Sequence, residues 1–78
     1  MSMGPEDRLI GLLSRWLAGH LDNAQLRAEI AETGRDGLSV DQSAALDDLV
    51  EALEQAGPTG RGGLEMVVRE TLEALALG

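Results

Sequence analysis

Leucine and other apolar residues recur at helical spacing in four segments of this chain, and no segment alternates apolar and polar residues. Spacings of three and four place side chains on one face of an α-helix, whereas alternation is typical of β-strands. The chain has 78 residues, a size at which a single core only just offsets chain entropy. The sequence therefore predicts one all-α domain over residues 1–78, a small bundle of four helices that self-association could complete.

The first predicted helix opens at Pro5 and ends near Gly19-His20. Proline is favoured in the first helical turn and glycine just beyond the last, so both ends carry the expected residues. The apolar face of this helix consists of Leu9, Leu12, Leu13, Trp16 and Leu17. Gly11 lies in the middle, where glycine costs about 1 kcal/mol relative to alanine. We therefore expect another backbone to approach closely at Gly11.

The second and third predicted helices each begin with a capping box, in which the side chains of two residues cap each other's backbone. Asp22 pairs with Gln25 in the first box, and Ser39 pairs with Gln42 in the second. The second helix, residues 23–33, is short and weakly amphipathic. Its large apolar residues are Leu26 and Ile30, and those of the third helix are Leu46, Leu49, Val50 and Leu53.

Residues 57–63 are rich in glycine and proline and separate the third helix from the last. Such a composition is typical of loops. We expect a flexible linker that either folds the last helix back or hands it to a neighbouring subunit. The last helix is predicted over residues 64–76, and residues 1–4 are expected to be a disordered start. The apolar face of the last helix consists of Leu64, Val67, Val68, Leu72 and Leu75.

Most side chains that enzymes use for catalysis are scarce in this chain. It has no Cys, no Lys and no Tyr, and its one histidine is His20. No Glu-x-x-His or His-x-x-x-His spacing is present to hold a metal ion. His20 is interpreted as a structural residue at a helix end beside Trp16. The sequence therefore predicts a protein that is not an enzyme, with no catalytic residues, no metal and no cofactor.

The formal net charge is −8. An acidic surface repels nucleic acid and anionic membranes and attracts a basic protein surface. The polar, acidic first residues are unlike the basic start of a signal peptide, although Met1-Ser2 could be a remnant of a vector. No apolar stretch is long enough to cross a bilayer. We therefore expect a cytoplasmic protein whose partner is a protein, with neither nucleic acid nor membrane bound.

Two surfaces are predicted to bind partners. One is an apolar seam for helix packing, with Trp16 at its centre. The seam consists of Leu9, Leu13, Trp16, Leu17, Val67 and Leu75. The other is the acidic side of the third helix, made of Asp47, Asp48, Glu51 and Glu54. Our first hypothesis is a non-catalytic interaction module of regulatory, adaptor or immunity type that forms a homodimer and binds a basic partner.

One short motif has a counterpart in a known family. Acyl and peptidyl carrier domains are similar in length and acidity and carry Asp-Ser-Leu before a long helix, where this chain has Asp36-Gly37-Leu38. Gly37 has no hydroxyl to carry phosphopantetheine, and helix capping already explains Ser39. A carrier-like or small-molecule-binding helical protein and a death-fold-like effector-associated adaptor stay open as alternatives, the latter by architecture alone.

Overall fold

The computed structural model describes residues 4–58 and 60–77. In these ranges the chain forms four α-helices and no strands, which confirms the predicted all-α bundle. Residues 1–3 of the predicted disordered start, and Thr59 of the predicted linker, lie outside the described residues. The helices are α1 (Pro5–Leu17), α2 (Asn23–Thr33), α3 (Val40–Ala56) and α4 (Gly62–Leu77).

Both predicted capping boxes are confirmed. The Asp22 carboxylate accepts the Gln25 N–H at 2.7 Å, and the Gln25 side-chain oxygen accepts the Asp22 N–H at 3.1 Å. The Ser39 hydroxyl oxygen accepts the Gln42 N–H at 3.1 Å, and the Gln42 side-chain oxygen accepts the Ser39 N–H at 2.9 Å. These bonds satisfy backbone donors that the first helical turn leaves unpaired. They fix the starts of α2 and α3.

The last helix begins two residues earlier than predicted. The Arg61 carbonyl accepts the Glu65 N–H at 3.1 Å, which closes a helical turn around Gly62 and Gly63. Glycine is a poor helix former but is compatible with helical dihedral angles, and tertiary packing can outweigh its low propensity. The predicted linker is therefore shorter than residues 57–63, since its last two residues belong to α4.

The four helices surround one core. Helix α1 packs against α2 and α4, α3 packs mainly against α4, and α2 has a smaller contact with α3. Trp16 is the largest fully buried side chain, and its burial lets a chain with one aromatic residue fill its centre. The apolar core consists of Leu9, Leu12, Leu13, Trp16, Leu26, Ile30, Leu46, Leu49, Leu53, Leu64, Val68 and Leu75.

A buried asparagine ties the turn after α3 to the rest of the bundle. The Trp16 indole Nε1–H donates to Asn23 Oδ1 at 2.8 Å. Asn23 Nδ2 donates to the carbonyls of Gly57 at 2.8 Å and Gly60 at 2.7 Å. The Arg61 guanidinium lies 3.9 Å from the centroid of the Trp16 ring and donates to the Trp16 carbonyl at 2.6 Å. The described residues of the predicted linker are thus anchored to α1 and α2.

The other buried polar side chains are also hydrogen-bonded. Gln42 Nε2 donates to the Glu6 carboxylate at 2.9 Å and to the Leu75 carbonyl at 3.2 Å, which joins α3 to α1 and α4. The Thr71 hydroxyl donates to the Val67 carbonyl at 2.8 Å. Among the residues described, no buried side-chain nitrogen or oxygen lacks a partner. These hydrogen bonds therefore offset the free-energy cost of removing the polar groups from water.

Gly11 has no neighbour that explains it. A Cβ atom built on Gly11 would meet nothing within 4 Å beyond the backbone of its own helix, and the residue is exposed. The prediction that another backbone approaches here is therefore wrong for the part of the chain that the structure describes. The fold of a single chain does not require glycine at this position.

Candidate interaction surface

The predicted apolar seam lies inside the bundle. Leu9, Leu13, Trp16 and Leu75 have 0% relative exposure, because α2 and α4 close over α1. Leu17 and Val67 are half-buried and pack against the same core. The stripe that was predicted to bind a partner is thus consumed within one chain. A partner cannot contact the four fully buried side chains while the chain keeps this fold.

The predicted acidic side chains of α3 are all exposed, but two of the four are paired with arginines. Asp47 and Glu54 are seven residues apart, so they lie on the same side of α3. Arg35 forms an ion pair with Asp47, and Arg27 Nη2 lies 2.8 Å from Glu54 Oε1. Exposed pairs of this kind stabilise a fold by at most about 1 kcal/mol. They do, however, place a positive charge beside each of these two carboxylates.

Sequence reasoning missed Arg27 and Arg35 as partners because it considered α3 alone, on which no cation lies. Arg27 comes from α2, and Arg35 comes from the turn that follows it. Their separation along the chain is similar to that of Asp47 and Glu54. The matched spacing of the two arginines and the two acids on adjacent segments is the feature of the sequence that could have predicted these ion pairs.

The remaining acids form what we call the outer acidic strip, made of Asp41, Asp48 and Glu51. Asp48 follows Asp41 by seven residues and lies on the same side of α3. Glu51 lies three residues after Asp48 and four after Asp47, so it borders both the unpaired and the paired acids. All three are exposed. Within residues 4–58 and 60–77, none of them forms an ion pair; Glu51 accepts only a hydrogen bond of 3.3 Å from Gln55. The strip is therefore an uncompensated negative surface.

Among the residues that the structure describes, three large apolar side chains are exposed and lie outside the core. They are Val40 at 86%, Met66 at 69% and Leu77 at 83% relative exposure. Met66 and Leu77 lie off the apolar stripe of α4 that packs into the core. Isolated exposed apolar residues are normal on soluble proteins and do not by themselves identify a site.

The side chains that could take part in catalysis or bind a metal ion are dispersed. His20 is exposed, and Asp22 beside it caps α2. No three His, Asp or Glu side chains in the described ranges are grouped so that they could hold a metal ion. None of the described helices combines the length and the apolar character that a membrane crossing requires.

No protein-family model matches the chain, and comparison with curated proteins and with solved structures finds no match either. Its function is therefore inferred from the residues on its own surface.

Proposed function

We propose that this protein is a non-catalytic protein–protein interaction module that binds a basic protein partner through the outer acidic strip. The observation that carries the proposal is that the exposed acids of α3 differ in pairing. Asp47 and Glu54 form ion pairs with arginines of the same chain, whereas Asp48 and Glu51 form none with any residue that the structure describes. Exposed acids that are left unpaired are available to a cation of another molecule.

The net charge of −8 supports a steering role for this surface. Complementary charge accelerates the encounter of two proteins and fixes their orientation more than it raises the final affinity. The Debye length is about 8 Å at physiological salt. The partner must therefore bring its basic groups close to Asp48 and Glu51 to gain from them. A module of regulatory or adaptor type, which carries no chemistry of its own, fits this behaviour.

Two observations weigh against the carrier-like alternative. Gly37 has a φ of +84°, a backbone conformation that a serine at this position would adopt only with strain. The Ser39 hydroxyl is engaged in capping α3. The position that holds the attachment serine in carrier domains is thus a glycine whose conformation favours glycine.

The test compares two variants that remove the same formal charge from α3. Asp48→Asn with Glu51→Gln removes two of the three charges of the strip. The control, Asp47→Asn with Glu54→Gln, removes two acids that already have arginine partners. Each immobilised protein is used to capture proteins from an extract of its source cells. The association rate of each retained basic protein is then measured against ionic strength.

We expect at least one basic protein to bind the wild type and the control variant and to be lost from the strip variant. Its association rate should fall as salt rises, because screening shortens the range of attraction. Equal loss from both variants would show that net charge, and not the strip, attracts the partner. An identical set of captured proteins with all three chains would contradict the proposal.

A further inference from the structure

A groove with a volume of about 390 Å³ lies between α1 and α2. Gly11 and Leu12 of α1 line its floor. Leu12 is the most exposed of the core leucines, at 7%. Gly11 weakens α1 relative to alanine, and nothing within 4 Å of its absent Cβ accounts for it. The glycine therefore leaves open space at the floor of the groove.

The two walls of the groove carry opposite charge. Arg8 and Arg15 lie on the α1 wall, seven residues apart and on the same side of the helix as Gly11. Glu29 and Glu32 lie on the α2 wall, and Asp7 lies at one end of the α1 wall. None of these five side chains forms an ion pair within the described part of the chain. The groove is thus a basic wall beside an acidic wall, with a small residue between them.

We infer that this groove is the contact surface of a homodimer, in which α1 of each copy lies over α2 of the other. A short loop over residues 18–22 joins α1 to α2, and the first half of α1 lines the groove with the last residues of α2, so the two helices run in opposite directions. Arg15 lies near the loop, and Arg8 lies near the far end beside Glu32. A two-fold axis parallel to the helices preserves these heights and places Arg8 over Glu32 and Arg15 towards Glu29 of the second copy.

The charge pattern selects this axis over the alternative. A two-fold axis perpendicular to the helices would place α1 over α1 in the opposite direction, with Arg8 above Arg15 of the second copy. That arrangement brings like charges together, which disfavours it. The parallel axis also brings the two Gly11 positions towards the centre of the contact, where the absence of a side chain lets the helices approach closely. A two-fold contact needs a self-complementary patch of this kind.

The area of the groove surface determines how stable a dimer we expect. A helix of 13 residues is roughly 20 Å long, and two adjacent helices are roughly 20 Å wide, so each copy offers about 400 Å². The total of about 800 Å² lies below the usual range of stable interfaces, so the dimer should be weak and depend on concentration. This self-association uses none of the residues of the outer acidic strip, so it is independent of the proposed function.

The first test measures solution mass against protein concentration, from about 10 μM to about 1 mM, at about 0.15 M salt. The wild type should rise from 8.2 kDa towards twice that mass. Gly11→Gln should stay at the monomer mass, because its side chain fills the centre of the contact. The same variant should unfold at a higher temperature in dilute solution, since glutamine is a better helix former than glycine. Loss of association therefore cannot be attributed to loss of folding.

The second test separates contacts between chains from contacts within one chain. Arg15→Glu alone and Glu29→Arg alone should each weaken the dimer by about tenfold or more, since two favourable contacts become repulsive. An equimolar mixture of the two variants should restore it. In the mixture every contact between chains is complementary, whereas within each chain positions 15 and 29 still carry like charges. Arg69→Glu makes the same change on α4 and should leave the dimer intact.

A wild type that stays at the monomer mass up to about 1 mM would overturn the inference. So would a dimer that persists in Gly11→Gln, or a mixture of the two charge variants that fails to restore association.

Discussion

Asn23 links α1 to the turn after α3 through three hydrogen bonds, and its replacement tests how much this link stabilises the fold. Replacement by alanine removes the acceptor of the buried Trp16 Nε1–H and the donor to the carbonyls of Gly57 and Gly60. Each carbonyl bond contributes about 1 kcal/mol, since water can replace the asparagine in this partly exposed turn. The indole N–H is buried, and leaving it unpaired costs about 1–3 kcal/mol. We expect Asn23→Ala to lower the free energy of unfolding by at least about 3 kcal/mol.

That loss is large for a domain of this size. At about 0.05–0.15 kcal/mol per residue, the 78 residues give a total stability of about 4–12 kcal/mol. A decrease of about 3 kcal/mol corresponds to a melting temperature lower by about 12–24 °C. Urea unfolding followed by far-ultraviolet circular dichroism measures the change. Gln55→Ala is the matched control, because the one hydrogen bond of this exposed amide within the described residues is to Glu51, and its loss should stay within about 0.5 kcal/mol.

A double-mutant cycle isolates the bond to the indole. Trp16→Phe removes the N–H donor, so Asn23→Ala should cost about 1 kcal/mol less in that background than in the wild type. If the two changes are additive, or if Asn23→Ala alone costs less than about 1 kcal/mol, the asparagine is not the structural link described above. Trp16 fluorescence of the wild type and of Asn23→Ala reports whether the indole stays buried.

Three further changes have expected effects on unfolding by urea. Gly11→Ala should raise the free energy of unfolding by about 1 kcal/mol in dilute solution, since no neighbour resists the added methyl group. Ser39→Ala should lower it by about 1 kcal/mol, because the Gln42 N–H loses its cap. Arg61→Met should lower it by about 1–2 kcal/mol through loss of the bond to the Trp16 carbonyl and of the cation–π contact, and it should change Trp16 fluorescence.

The helices and their starts could be predicted because their determinants are local. A capping box joins residues three positions apart, and an apolar stripe repeats within two turns, so a short window of sequence contains both signals. The bonds from Asn23 to Gly57 and from Arg61 to Trp16 join residues 34 and 45 positions apart. Nothing in the sequence around Asn23 specifies which distant carbonyl it meets. Such contacts depend on how the helices pack, which the periodicity of each helix leaves open.

The same limit explains why the apolar seam and the core could not be distinguished. An amphipathic stripe such as the one containing Leu13 and Trp16 must be covered, but it does not determine whether the cover is another helix of the chain or a partner. The structure supplies α2 and α4 as the cover. For the acids of α3, exposure to solvent could be predicted from the helix alone. The ion pairs of Asp47 and Glu54 could not, because their arginine partners lie on neighbouring segments.

The two proposed surfaces should respond to salt in opposite directions. Two chains of charge −8 whose centres are about 20 Å apart repel by about 13 kcal/mol when treated as unscreened point charges in water, and by about 1 kcal/mol at a Debye length of about 8 Å. Salt between about 0.01 M and about 0.15 M should therefore strengthen the dimer, because it removes long-range repulsion while the Arg–Glu contacts act at short range. Over the same range, salt should slow association with a basic partner at the outer acidic strip, because there it screens attraction. Light scattering on one salt series measures the strength of the dimer, and association kinetics on the same series measure binding to the basic partner. If the dimer weakens steadily from the lowest salt, the groove contacts do not hold the two copies together.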